Sequence, residues 1–144
     1  MGEALHIASE WNKEDAIHVR KQLIQFNKLK VSVADKEFEV EDVSLILKDE
    51  DGKIFGGLTG YTHWQCLNVD IFWIDENVRG QGYGKKMLQM AEDLAREKKC
   101  RLIKLDTLSF QAPDFYQKQG YTIYGTLEDF PEGCTHYYLY KKVE

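Results

Sequence analysis

The sequence is poor in proline, with two residues in 144, and no run in it approaches eighteen consecutive apolar residues. The second absence excludes a membrane-spanning helix. The opening Met-Gly-Glu-Ala-Leu also lacks the basic region and apolar stretch of a secretory signal. Cysteine is scarce too: Cys66, Cys100 and Cys134 are odd in number and irregularly spaced, neither a disulfide framework nor a paired Cys-x-x-Cys zinc site. The pairs His63/Cys66 and Cys134/His136 are too few and too closely spaced to argue for zinc. There is no basic excess, since 19 Lys and Arg against 24 Asp and Glu leave a net charge of −5. The electrostatic footprint of a nucleic-acid-binding domain is therefore missing. These absences lead us to expect a reduced, cytoplasmic protein with no metal, no nucleic-acid partner and no membrane.

What is present is ordinary for a globular chain: 43% hydrophobic and 30% charged residues. That length and composition predict a single domain over residues 1–144, able to bury a core without staples. The acidic balance is compatible with a cationic substrate. A short strand is expected over residues 5–9, then a helix capped by Ser9 or Asn12 with apolar positions at Ala16, Ile17, Val19, Leu23, Ile24 and Phe26. Residues 30–42 are polar and read as a short helix or loop beside a substrate mouth. Val43–Leu47 and Ile54–Thr62 read as a hairpin about Asp49-Glu50-Asp51-Gly52, which lacks the spaced ligands and closing glutamate of a calcium loop. A third strand, Leu67–Ile74, precedes a helix from about Gly82 to Lys99 whose apolar Met87, Leu88, Ala91, Leu94 and Ala95 recur at helical spacing. Strands over 102–107, 121–126 and 135–141 and a short helix over 112–119 complete a mixed α/β chain without repeats.

The informative stretch is Arg79-Gly80-Gln81-Gly82-Tyr83-Gly84, between a strand and a long helix. Glycines at alternate positions let the backbone turn tightly or approach a ligand. A helix N-terminus offers unpaired N–H groups to a phosphate. Lys85 and Lys86 in the first turn oppose the helix dipole, which makes sense if an anion joins them. A Walker A loop fails, because Gly84-Lys85 is followed by Lys86 and position 79 is not glycine. A dinucleotide fingerprint fails because its third glycine arrives one residue early. A ligand-free glycine turn is the other reading of the loop.

The loop resembles the Arg/Gln-x-x-Gly-x-Gly/Ala signature of the GNAT superfamily of acetyl-CoA-dependent N-acetyltransferases. Ala112-Pro113-Asp114-Phe115-Tyr116-Gln117-Lys118-Gln119-Gly120-Tyr121 resembles that family's second signature, at the family's spacing. The resemblance implies the GNAT acyl-CoA N-acyltransferase fold, a twisted, mixed, mostly antiparallel sheet flanked by helices. It also implies acetyl-CoA as co-substrate. The CoA pyrophosphate would lie on the amides of Arg79, Gly80, Gln81, Gly82, Tyr83, Gly84 and Lys85. The pantetheine arm would pair with backbone groups near Phe72, Trp73 and Ile74, and an N–H near Phe72 or Ile74 would hold the developing oxyanion.

By the same resemblance Tyr116 is the candidate general acid for the leaving thiolate, with packing under the sheet as its structural alternative. A free alkylamine has a pKa near 10.4 and must lose a proton before it attacks. Asp70 is the candidate base: it alternates with Phe72 and Ile74 and shares their face if no bulge intervenes. Asp75, Glu76, His63 and ordered water are the other candidates for that proton. A cysteine route is disfavoured. Cys66 lies three residues from His63, a spacing that on one strand separates their faces, and Cys100 follows a helix C-terminus, where the dipole raises a thiol pKa. The aromatic residues, among them Tyr61, Trp64 and the Tyr137-Tyr138-Tyr140 run, read mainly as packing, with some available to an acceptor pocket. A small-molecule primary amine is the expected acceptor. Acetylation of protein termini or lysines, a CoA-binding regulator without turnover, and a cofactor-free interaction domain are the alternatives. The acceptor pocket is expected from residues 27–42 and 128–134. A homodimer through the edge of strand 135–141 is the assembly that the resemblance admits.

Overall fold

The computed structural model describes residues 4–31 and 39–144. The chain forms two compact units, residues 1–38 and 39–144. In the first, helix α1 spans Lys13–Lys30. The Asn12 side chain caps it by accepting from the Asp15 N–H at 2.9 Å. Glu14 and Asp15 in its first turn and Lys28 and Lys30 in its last complement the dipole. The expected strand over residues 5–9 does not form; the segment carries no regular structure. Strand propensity acts only when a partner completes the ladder. The reading of residues 30–42 falls mostly on 32–38, outside the described residues.

The second unit is a six-stranded sheet with two helices. Strands β1 (Glu41–Lys48), β2 (Ile54–His63) and β3 (Cys66–Ile74) run antiparallel. A single 3-10 turn, Glu76–Val78, then leads to α2 (Tyr83–Glu97). Strand β4 (Leu102–Leu108), helix α3 (Pro113–Lys118) and strands β5 (Thr122–Glu128) and β6 (Thr135–Lys142) complete the chain. The order across the sheet is β1-β2-β3-β4-β6-β5, and β3 and β4 are the parallel pair joined through α2. This is the mixed, mostly antiparallel sheet expected. One expectation is corrected. The strand 135–141 is no edge, because β6 lies between β4 and β5, and β1 and β5 are the edges.

The core explains the order. Met87, Leu88, Ala91 and Ala95 recur on one face of α2 and are buried, with Leu94 half-buried beside them. They meet Leu58, Leu67, Val69, Ile103, Leu105 and Leu139 from the sheet. Tyr116 of α3 and Tyr121 close the same cluster, their rings edge-on with centroids 6.1 Å apart. Burying each such aliphatic side chain is worth roughly 1.5–3 kcal/mol.

The β2–β3 hairpin has two local irregularities, a tight turn and a bulge. Trp64 and Gln65 both adopt left-handed backbone angles (φ 54° and 60°), so they form a two-residue turn. His63 and Cys66 are thus directly opposed partners across the hairpin, which corrects their placement on one strand. Further along, the register runs from Gly60 opposite Val69 to Thr59 opposite Ile71, leaving Asp70 as an extra residue. That is a β-bulge, and position 60 must be glycine beside it: a Cβ there would lie 2.1 Å from the Asn68 carbonyl oxygen.

Candidate active site

Strands β3 and β4 pair only through Cys66–Asn68 and Leu102–Lys104, whereas β4 stays paired with β6 along its whole length. Beyond Asn68 the β4-facing edge of β3 is therefore open, and its peptide groups are available to a ligand. The bulge at Asp70 bends the strand where the divergence begins. The opening leads into a cavity of about 860 Å³ that runs from the glycine loop, between the two strands, to α3 and β6.

At the loop end, Asp75 accepts from the Asn77 N–H at 2.8 Å, and Arg79 Nε donates to the Ile74 carbonyl at 2.9 Å. These bonds tie the loop to the end of β3. Gly82 precedes α2 with φ 84°, a backbone angle suited to glycine, and no side chain caps the helix. The N–H groups of Tyr83, Gly84 and Lys85 consequently have no intrahelical partner. No acid occupies the first turn, while Arg79 and Lys85 line the cavity there. Side chains added at positions 80 or 82 would meet no atom within 4 Å, so the space beside the loop is open. The pattern suits a bound diphosphate. Of the loop residues named from the sequence, Arg79, Gly80, Gly82, Tyr83, Gly84 and Lys85 line the cavity and Gln81 does not.

Asp70, Phe72, Trp73 and Ile74 also line it, but not as alternation predicted. The bulge intervenes. Phe72 lies opposite buried Leu58 and packs on Phe115 and Tyr116 of α3, with ring centroids 6.5 and 6.4 Å away. Asp70 is thrown out of that alternation and is exposed. Tyr116 is 8% exposed, yet it lines the cavity. Its hydroxyl makes no hydrogen bond among the described residues. Burial, helped by the charge of Asp106, pushes its pKa up to about 12, so the proton stays on the oxygen at neutral pH. The other candidates separate from this place. His63 stands at the far end of the hairpin and does not line the cavity, and neither does Cys66, whose thiol burial pushes up to about 11. Asp75 is engaged in the 3-10 turn.

Several polar lining residues were not anticipated, among them Asp106, Gln111 and His136. Asp106 lies on the outward phase of β4, between buried Leu105 and Thr107, and its Oδ2 is 2.5 Å from Nε2 of His136 on β6. The outward phase was readable in Leu105-Asp106-Thr107; its partner thirty residues later was not. Gln111 closes the adjoining loop, accepting from Thr107 Oγ1 at 3.0 Å and the Leu108 N–H at 2.9 Å.

The open strand edge beside an uncapped glycine-led helix is the arrangement that the loop motif implied, and the family comparison agrees. A family model described as the acetyltransferase (GNAT) family matches residues 6–121. The chain belongs to the GNAT acetyltransferase family. The blasticidin-S acetyltransferase of Streptomyces morookaense is 41% identical over 95 residues, 65% of this chain and 70% of that protein. The crystal structure of an acetyltransferase from Bacillus cereus ATCC 14579 shares 42% identity and superposes with a TM-score of 0.85, covering 96% of this chain and 97% of the other. An aminoglycoside 6′-N-acetyltransferase complexed with coenzyme A shares the fold at 14% identity, with a TM-score of 0.64 over 96% of this chain and 98% of its own. In this GNAT chain no described helix is long and apolar enough to cross a membrane. Among the described residues no group of three or more His, Cys, Asp or Glu side chains is placed to hold a metal ion.

Proposed function

We propose that this GNAT acetyltransferase moves an acetyl group from acetyl-CoA to a primary amine on a small molecule, by direct attack in a ternary complex. The observation that carries the reading is the continuous cavity from the uncapped N-terminus of α2, along the open edge of β3, to Tyr116 and Asp106. The named relatives support it: one is a blasticidin-S acetyltransferase, and one aminoglycoside acetyltransferase of the same fold was crystallised with coenzyme A.

Bound acetyl-CoA supplies an activated thioester. The amides of Tyr83, Gly84 and Lys85, with the Arg79 and Lys85 side chains, hold its diphosphate. The β4-facing N–H groups of Phe72 and Ile74 and the Phe72 carbonyl align its amide-bearing arm beside Trp73, and one of those N–H groups is offered to the carbonyl oxygen, which gains charge as the amine adds. Tyr116 Oη keeps a proton ready for the departing sulfur. Asp70, exposed on the bulge and lining the same cavity, receives the proton that the amine must shed. Residues 1–144 act as one catalytic domain in the cytoplasm under this reading, and a homodimer is the assembly that light scattering would test. Calorimetry with acetyl-CoA, and with NADH and ATP as controls, checks the donor: micromolar binding of acetyl-CoA alone is expected, and no binding by folded, CoA-free protein refutes the reading. A primary-amine screen then checks turnover.

A further inference from the structure

The cavity is electrically divided. Arg79 and Lys85 stand at the loop end, and Asp70 and Asp106 stand at the other, among the apolar side chains of Ile71, Trp73, Leu108 and Phe110. Of the two acids, Asp106 is the more firmly built. His136 stacks between Phe130 and Tyr138, with centroids 4.8 and 4.7 Å away and planes tilted by 23° and 12°. Its Nδ1 is buried with no partner. A proton there would be a buried N–H without an acceptor, which is costly, so the proton belongs on Nε2 and is donated to Asp106 Oδ2. Asp106 is thereby held in one orientation. Its Oδ1 has no hydrogen-bond partner among the described residues, and its side chain is 46% exposed. A carboxylate fixed by a stacked histidine, with one oxygen open to a cavity that Asp106 itself lines, is arranged to receive a cationic donor.

We propose that Asp106, oriented by His136, takes the ammonium group of an acceptor carried on an apolar body, and so selects the acceptors this site admits. The inference rests on the acetyltransferase reading of the same cavity and adds the chemistry of the acceptor. Asp106 is a binding residue in this scheme and His136 a positioning residue. Asp70 remains the proton acceptor.

The test compares 2-phenylethylamine with its uncharged counterpart 2-phenylethanol, titrated into the intact chain and followed by amide chemical shifts. Wild type is expected to bind the ammonium about tenfold more tightly, the effect of one charge-assisted hydrogen bond. Asp106→Asn, nearly isosteric, should abolish the preference. His136→Phe keeps a ring in the stack but loses the donor, and it should lose most of the preference with an unchanged thermal midpoint. In turnover it should raise KM for the amine more than it lowers kcat. Equal binding of the two probes by wild type, or a preference that survives Asp106→Asn, overturns the proposal. Thiol release from acetyl-CoA is measured separately. An Asp106-dependent ammonium preference without thiol release would refute the acetyltransferase reading and leave the ammonium site standing.

Discussion

Glu92 on α2 and Asp106 on β4 are both acids bonded to a basic side chain of β6, yet they are put to opposite uses. Glu92 has a side chain only 7% exposed, with both oxygens engaged: Tyr121 Oη donates to Oε2 at 3.2 Å, and Lys141 Nζ donates to Oε1 at 2.8 Å. Lys141 is itself tied to the Gln119 carbonyl at 2.9 Å, and Arg96 stands 4.0 Å away. Nothing in that cluster is left for a ligand. Asp106 has one oxygen engaged and one open, with roughly half its side chain exposed. Complete satisfaction of a buried acid marks a structural joint, and partial satisfaction beside a cavity marks a place for a ligand.

Substitutions can break or sharpen that contrast. The largest effect is expected from Glu92→Ala, which strands the Lys141 ammonium and the Tyr121 hydroxyl and should cost about 3–5 kcal/mol in denaturant unfolding. The folded fraction should keep its acetyl-CoA affinity; a selective loss of that affinity would mean the joint is part of the site. Next comes Tyr116→Phe, which removes the proposed donor but keeps the ring among Phe72, Phe115 and Tyr121. A drop in kcat of about 10²-fold with unchanged acetyl-CoA affinity is expected, and steady-state kinetics on the best amine checks it. Unchanged turnover would return Tyr116 to the structural class of Glu92.

Gly82→Val should rank third, because a side-chain-bearing residue at φ 84° costs about 1–2 kcal/mol and the strain falls on the loop. Calorimetry should show acetyl-CoA affinity falling about tenfold. The smallest effect at neutral pH is none at all. Burial, with Asp106 beside it, raises Tyr116 from 10.0 to about 12. Its contribution to stability is thus fully present below pH 10 and is lost as pH rises through 12. Tyr121, raised by burial and by Glu92, works in the same direction. Denaturant midpoints should stay level from about pH 7 to 9 as far as these groups are concerned and decline above about 10. Tyr116→Phe should flatten part of that decline.

Much of the donor half of the site was legible because its signals are local. The three glycines, the absence of acid from the first turn of α2 and the spacing of Met87, Leu88, Ala91 and Ala95 all lie within seventeen residues. They specify a strand, a turn and a helix whatever surrounds them. The bulge at Asp70 was harder to read, since it depends on a register in which Gly60 alone can accept the close Asn68 carbonyl. The 3-10 turn after β3 and the crossed partners His63 and Cys66 likewise needed the hairpin to be in place.

What the sequence determined by itself was the family, the glycine loop at the start of α2 and the order of elements from residue 43 onward, because helical periodicity, turn glycines and apolar strands act over a few residues. The tertiary structure alone decided that β6 enters between β4 and β5, that β3 and β4 part after three residue pairs, and that His136 meets Asp106. Strand pairing sets which side chains become neighbours, and its register is fixed by packing across the whole sheet rather than by any local pattern.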